Sequence, residues 1–223
     1  MITAVRKPFD EIAALLAGRR KVLILGCGTC VTVCMAGGEK EVAILASTLR
    51  LAGKKQGWSL EIDEATIERQ CDREFFDAVR EKVAAADAVL SMACGVGVQF
   101  LGEVFPETQV LPGLDTKFYG ATVSQGVWAE RCSGCGSCVI GEFGGVCPVT
   151  RCSKSLLNGP CGGSQKGKCE VDPENIDCGW QLIYDRMKAL GILDKLAAIT
   201  PVKDWSTGRH GGPGKIVKED AVL

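Results

Sequence analysis

The sequence predicts an α/β protein. A parallel, doubly wound sheet of the flavodoxin/Rossmann kind is expected in the N-terminal part, followed by a small cysteine-rich domain closed by helices. Three observations predict this. Up to about residue 111, short apolar runs alternate with amphipathic stretches, the pattern of strand–helix–strand units with parallel strands. From Ser124 to Gly179 the periodicity fades, and glycine and cysteine accumulate. Past Asp177, apolar residues return at helical spacing. The expected divisions are 1–124, 125–200 and an extended tail over 201–223.

Each element has its own signal. Pro8 opens a short helix with Ile12, Leu15 and Leu16 on one face, and Gly18 closes it. Lys21 to Leu25 is a buried strand, and Gly26 to Cys30 a tight loop. Glu39 to Leu51 is a helix with Val42, Leu45 and Leu49 inward, stopped by Gly53. A second strand lies between Ser59 and Arg69. Asp72 caps a helix through Phe75, Phe76, Val79 and Val83. Ala88 to Met92 is a third strand, and Thr108 to Leu111 a short fourth. Asp177 caps a helix carrying Trp180, Ile183, Tyr184, Met187 and Leu190, stopped by Gly191, and Ile192 to Ile199 add another.

Composition narrows the function. Net charge is −1 and the pI near 6.0, without the basic stripe that a nucleic-acid partner needs. No apolar run reaches the roughly 18 residues of a spanning helix. Met1 to Arg20 lacks the apolar core and cleavage site of a signal peptide. These features predict a cytoplasmic chain with no nucleic-acid and no membrane partner.

Cysteine is the abnormal term: there are thirteen, with a single histidine, His210. A disulfide framework suits short secreted chains, and the odd count speaks against it. One buried cysteine is an ordinary small hydrophobe, but eight fall between Cys132 and Cys178. With so little histidine, all-thiolate sites are expected, either iron–sulfur clusters or cysteine-only zinc. Cys132-x2-Cys135-x2-Cys138 can wrap one cubane, with Gly134, Gly136 and Ser137 easing the turn. Cys147-Pro148 is a bacterial-ferredoxin ending, although the eight-residue gap before it leaves its cluster open. Cys152, Cys161, Cys169 and Cys178 complete eight thiolates. That is the number for two four-iron clusters in a ferredoxin-like domain, or for one cluster and one zinc.

In the N-terminal part, Cys27, Cys71 and Cys94 each follow a predicted strand. In an open α/β sheet those ends converge on the ligand crevice. Cys30 and Cys34 lie just beyond Cys27, at a spacing that faces one side of a helical turn. Four of these five suffice for a third cluster, leaving one spare. A dinucleotide is disfavoured, because the third glycine of the GxGxxG pattern is replaced by Val31 and cysteines occupy the phosphate loop. No nucleophile–base pair is visible, so no catalytic residue is assigned.

The strings Gly26-Cys-Gly-Thr-Cys30 with Cys34, Glu68-Arg-Gln-Cys71, Ala93-Cys-Gly-Val-Gly-Val-Gln99, Arg131-Cys-Ser-Gly-Cys-Gly-Ser-Cys138, Gly145-Val-Cys-Pro148 and Leu157-Asn-Gly-Pro-Cys-Gly-Gly163 occur together. In them the chain resembles the MetV-type iron–sulfur subunits of methylenetetrahydrofolate reductase, also called the methylenetetrahydrofolate reductase C-terminal domain family. The resemblance implies a non-catalytic electron-transfer subunit of an oxidoreductase, in a heterodimer with a flavin-bearing subunit that carries FMN. That partner reduces 5,10-methylenetetrahydrofolate to 5-methyltetrahydrofolate in the one-carbon metabolism of the Wood–Ljungdahl pathway. The resemblance also implies external donors, either ferredoxin or heterodisulfide-reductase-like modules. Two other expectations stand beside it: a zinc-stabilised docking module, and an N-terminal cluster or flavin site with its own redox chemistry. The tail from Trp205 to Gly214 is either a partner-docking arm or a disordered terminus.

Overall fold

The computed structural model describes residues 1–221. After β1 (Ile2–Arg6), α1 (Phe9–Leu15) starts behind Pro8, whose missing N–H costs a helix start nothing. The helix turns Ile12 and Leu16 into the core, and Gly18 bends the chain away at φ 76°. β2 (Lys21–Cys27) is buried from its second residue on. A single turn, α2 (Cys30–Val33), precedes α3 (Glu39–Gln56).

The stop expected at Gly53 is three residues early. Gly53 is buried inside α3 beside Trp58, and the helix runs on through it. Lys54, Lys55 and Gln56 favour helix, the lysines suit its C-terminal dipole, and Gly57 supplies the left-handed cap at φ 72°.

β3 (Glu61–Ile67) comes next. The helix expected after Asp72 is instead a 3₁₀ stretch, Arg73–Val79, running into α4 (Arg80–Ala84), and Asp72 makes no capping bond. Three residues per turn superimpose Phe76 and Val79, and both are buried. β4 (Ala88–Ser91) leads to a helix the periodicity does not announce, α5 (Gly95–Val104), and then to β5 (Gln109–Pro112). β6 (Leu114–Ser124) and β7 (Val127–Cys132) follow. The cysteine-rich part holds α6 (Pro148–Arg151), β8 (Lys168–Cys169), β9 (Asp172–Asp177) and α7 (Gly179–Ala189). In place of the helix expected over Ile192 to Ile199, a 3₁₀ turn forms, Leu193–Ala197. Ala198 is already extended, and Pro201 disfavours helix in the residue before it.

The central sheet has the order β3-β2-β4-β5, with all pairs parallel. Val22, Ile24 and Leu90 pack one face against α1 and α3. Leu23, Leu25 and Val89 pack the other against the 3₁₀ stretch, α4 and α5 through Phe76, Val79, Val83 and Leu101. Helices on both faces make the sheet doubly wound. A second sheet runs β1-β6-β7, and β8 pairs antiparallel with β9.

The chain divides into two compact units. One holds Met1–Phe118 with Thr122–Trp128, the other Tyr119–Ala121 and the chain from Ala129 on. The second has its own core of Phe143, Trp180, Ile183 and Met187, with Phe143 and Trp180 edge to face at 5.6 Å. Among the described residues no helix is long and apolar enough to cross a membrane.

Candidate metal centres

All thirteen cysteines are free thiols. In the first unit the strand order places β2 between β3 and β4. The chain therefore leaves β2 toward one neighbour and later returns to its other side. Ligand crevices of open α/β sheets form at the carboxyl ends of strands at such a switch point. Cys27 is the last residue of β2. Cys71 follows the end of β3, and Cys94 is the N-cap of α5 just past β4.

Gln70 sets this edge. It is fully buried, and its Nε2 donates to the carbonyls of Leu25 (2.8 Å) and Gly26 (3.0 Å). Its Oε1 accepts from Ser91 Oγ (2.6 Å). One side chain thus ties the loop after β3 to the ends of β2 and β4, and fixes the start of Cys71. Replacing Gln70 by Leu removes three hydrogen bonds and is expected to cost about 2–3 kcal/mol. Urea denaturation should show a lower midpoint with an unchanged m-value.

Burial, followed by the charges of Cys27 and Cys94, pushes the Cys71 thiol up. Cys71 therefore lies within electrostatic reach of both other strand-end thiols. Cys27 Sγ also approaches Thr29 Oγ1 (3.7 Å) and the Glu68 carbonyl (3.8 Å). Cys30 begins α2, half-buried. Cys34 shares the apolar core with Cys27 and Cys94 but differs in its bonding: its thiol faces the carbonyls of Ala4 and Val31 at 3.6 Å each, and burial is the main cause of its raised pKa. A thiol so placed is an inert core group.

In the second unit, Cys132 ends β7, and the loop to Cys138 turns through Gly134 and Gly136 at φ 65° and 85°. The Gly134 amide donates to Cys132 Sγ (3.4 Å). Cys147 is the N-cap of α6, with Pro148 behind it. The other four thiols converge. Cys152, Cys161, Cys169 and Cys178 line one small cavity together with Lys154, Glu170 and Trp180.

The local sequence explains the convergence. Cys152 ends α6 and Cys178 caps α7. Any side chain on Gly179 would collide with the Arg151 carbonyl and lie 2.7 Å from the Cys152 nitrogen, so glycine lets these helix ends touch. Cys169 lies on β8, and the Ser153 hydroxyl at 3.3 Å is the largest cause lowering its pKa. Cys161 Sγ donates to Glu170 Oε1 (3.4 Å), and that carboxylate pairs with Lys154. A groove of about 1040 Å³, lined by Ser137, Val139, Phe143, Cys178, Trp180 and Tyr184, reaches Cys178 of the converging set and Ser137, the residue before Cys138.

Among the described residues, no three cysteine, histidine, aspartate or glutamate side chains are already drawn into a metal-holding group. The donor chemistry still fits a thiophilic metal. Four thiols share one cavity, one of them is biased toward thiolate, and no imidazole is among them. Such a set suits iron–sulfur clusters or all-thiolate zinc.

Residues 111–206 match the family model described as "Methylene-tetrahydrofolate reductase C terminal". The match associates this segment, which includes all eight cysteines from Cys132 to Cys178, with methylenetetrahydrofolate reductase, an oxidoreductase. No curated protein and no solved structure matches the chain.

Proposed function

We propose that the chain is the electron-transfer iron–sulfur subunit of a methylenetetrahydrofolate reductase complex, a MetV-type subunit. One observation carries the reading: four thiols of the matched segment line a single cavity. Cys152, Cys161, Cys169 and Cys178 would hold one four-iron cluster, and Cys132, Cys135, Cys138 and Cys147 a second. Cys27, Cys30, Cys71 and Cys94 would hold a third at the crevice, with Cys34 as the spare. Such clusters supply one-electron carriers whose potentials follow burial and hydrogen bonds to sulfur.

The chain's own residues serve that task. The Gly134 amide donates toward sulfur, Ser153 polarises Cys169, and Gln70 holds the crevice loop. The partner would be a flavin-bearing subunit with FMN that reduces 5,10-methylenetetrahydrofolate to 5-methyltetrahydrofolate. Ferredoxin or a heterodisulfide-reductase-like module would deliver the electrons.

Purified without oxygen, the chain alone should be brown and give cluster EPR signals after reduction. It should reduce no methylenetetrahydrofolate until the flavin partner is added. Folate reduction by the flavin-free chain would overturn the reading. Zinc in place of iron would leave a docking module instead.

A further inference from the structure

Among the described residues the buried polar side chains are Thr3, Gln70, Ser91 and Lys203, and of these only Lys203 carries a charge. It is 6% exposed. Its ammonium donates to the Ser137 carbonyl and lies 5.5 Å from the centre of the Trp205 ring. It forms no salt bridge among the described residues. Neighbouring Asp204 feels its charge, but forms no salt bridge with it, and its Oδ1 accepts from the Ser206 amide (2.9 Å) and hydroxyl (2.6 Å). A cation removed from water is costly unless an anion compensates it. A carbonyl and an aromatic face offset only part of that cost.

The chain around Lys203 is built onto the Cys132–Cys138 loop. Thr207 Oγ1 lies 3.4 Å from the Cys135 carbonyl, while its proton has a nearer acceptor in the Asp204 carbonyl at 3.0 Å. A side chain on Gly136 would collide with the Thr207 carbonyl, and one on Gly208 would sit 2.9 Å from the Cys135 backbone. Two glycines facing each other let the two backbones touch. His210 stacks edge to face on Trp205 at 5.8 Å, within the turn that ends in the 3₁₀ segment Arg209–Gly211. The segment from Lys203 to Gly211 is thus strapped to the Cys135–Ser137 backbone of this loop, with Cys132 and Cys138 left exposed.

We infer that this segment is a fixed strap on the Cys132–Cys138 loop, and that Lys203 is a positioning residue whose buried charge balances the anionic thiolate cluster there. The inference rests on the electron-transfer reading above. Reduction adds an electron to a centre that is already negative. A fixed cation beside it favours the reduced form and raises the midpoint potential.

The test is an EPR-monitored redox titration of the full chain, prepared without oxygen, with iron content measured on each sample. The signal that Cys135→Ser abolishes belongs to this centre. Lys203→Met should keep its iron and shift that signal's reduction equilibrium about tenfold toward the oxidised form, about 59 mV lower for one electron. Lys203→Arg, which keeps the charge, should hold the midpoint near the wild-type value. An unmoved midpoint in Lys203→Met at full iron content would overturn the inference and leave the electron-transfer reading standing. Equal shifts in both variants would reduce Lys203 to a packing role and overturn it as well. A wild-type chain without iron would sink the electron-transfer reading itself.

Discussion

Cys161→Ser should cost the chain about four iron atoms, whereas Cys34→Ala should cost none. The two cysteines are opposites in placement. Cys161 is exposed at the rim of the cavity it shares with Cys152, Cys169 and Cys178. A serine there opens no core, and any loss of metal reads as loss of a ligand. Cys34 is buried, hydrogen-bonded to carbonyls on its own turn and on β1, and packed among apolar side chains. Its truncation should appear as roughly 1 kcal/mol of lost stability with the visible spectrum unchanged. Iron and zinc per chain, together with the charge-transfer absorbance, check both variants. If the cavity held zinc, Cys161→Ser would release zinc and leave iron untouched. If Cys34→Ala bleached the chain as Cys71→Ser should, Cys34 would be a ligand.

The contrast shows where sequence stopped being informative. β2 and β4 were legible because each is a short apolar run followed by a turn, whereas β3, with Glu61, Asp63 and Glu64 in it, could be placed only between Ser59 and Arg69. Strand ends in the sequence located Cys27, Cys71 and Cys94. Which of the buried cysteines is taken up by backbone carbonyls was not legible, because it depends on β1, whose Ala4 carbonyl receives the Cys34 thiol. β1, β6 and β7 carry little apolar alternation; most of β6 and β7 is exposed. α5 was hidden by Gly95, Gly97 and Gly102, poor helix formers. Gly97 is required nonetheless, since a side chain there would lie 2.7 Å from Ala93 Cβ and 2.8 Å from Gln70 Cβ.

In the cysteine-rich unit the gaps of seven and eight residues gave no grouping. The cavity supplies one for the last four thiols, and its cause is Gly179, an unremarked glycine after a cysteine. Nor does a lysine in a tail announce its own burial, because lysine is almost always exposed. The segment expected to be extended or free instead folds onto the Cys135 loop.

Gly37→Ala should destabilise the N-terminal unit by about 3 kcal/mol or more, lowering its melting temperature by roughly 10 °C. Gly37 sits between α2 and α3, where its amide donates to the Val31 carbonyl (3.2 Å) and its carbonyl accepts from the Cys27 amide (3.0 Å). A methyl group there would collide with the Met92 carbonyl and press on Leu114 at 3.0 Å. Met92 cannot retreat easily, because its own amide bonds to Leu25 (2.8 Å) in the middle of the sheet. The strain therefore falls on backbone that is tied at both ends.

Gly102→Ala is the matching control. It adds the same methyl inside α5 with no atom within 4 Å, and should stabilise by up to about 1 kcal/mol. Thermal unfolding of the two variants separates a general glycine effect from a close approach at one site. The consequence reaches the crevice, because the Gly37 carbonyl holds the amide of Cys27. Gly37→Ala should therefore loosen the strand-end thiols before the sheet melts. Faster alkylation of Cys27 and Cys71 at temperatures where the far-ultraviolet signal is still native would show it. Unchanged alkylation rates up to global unfolding would mean that the crevice and the sheet open as one unit.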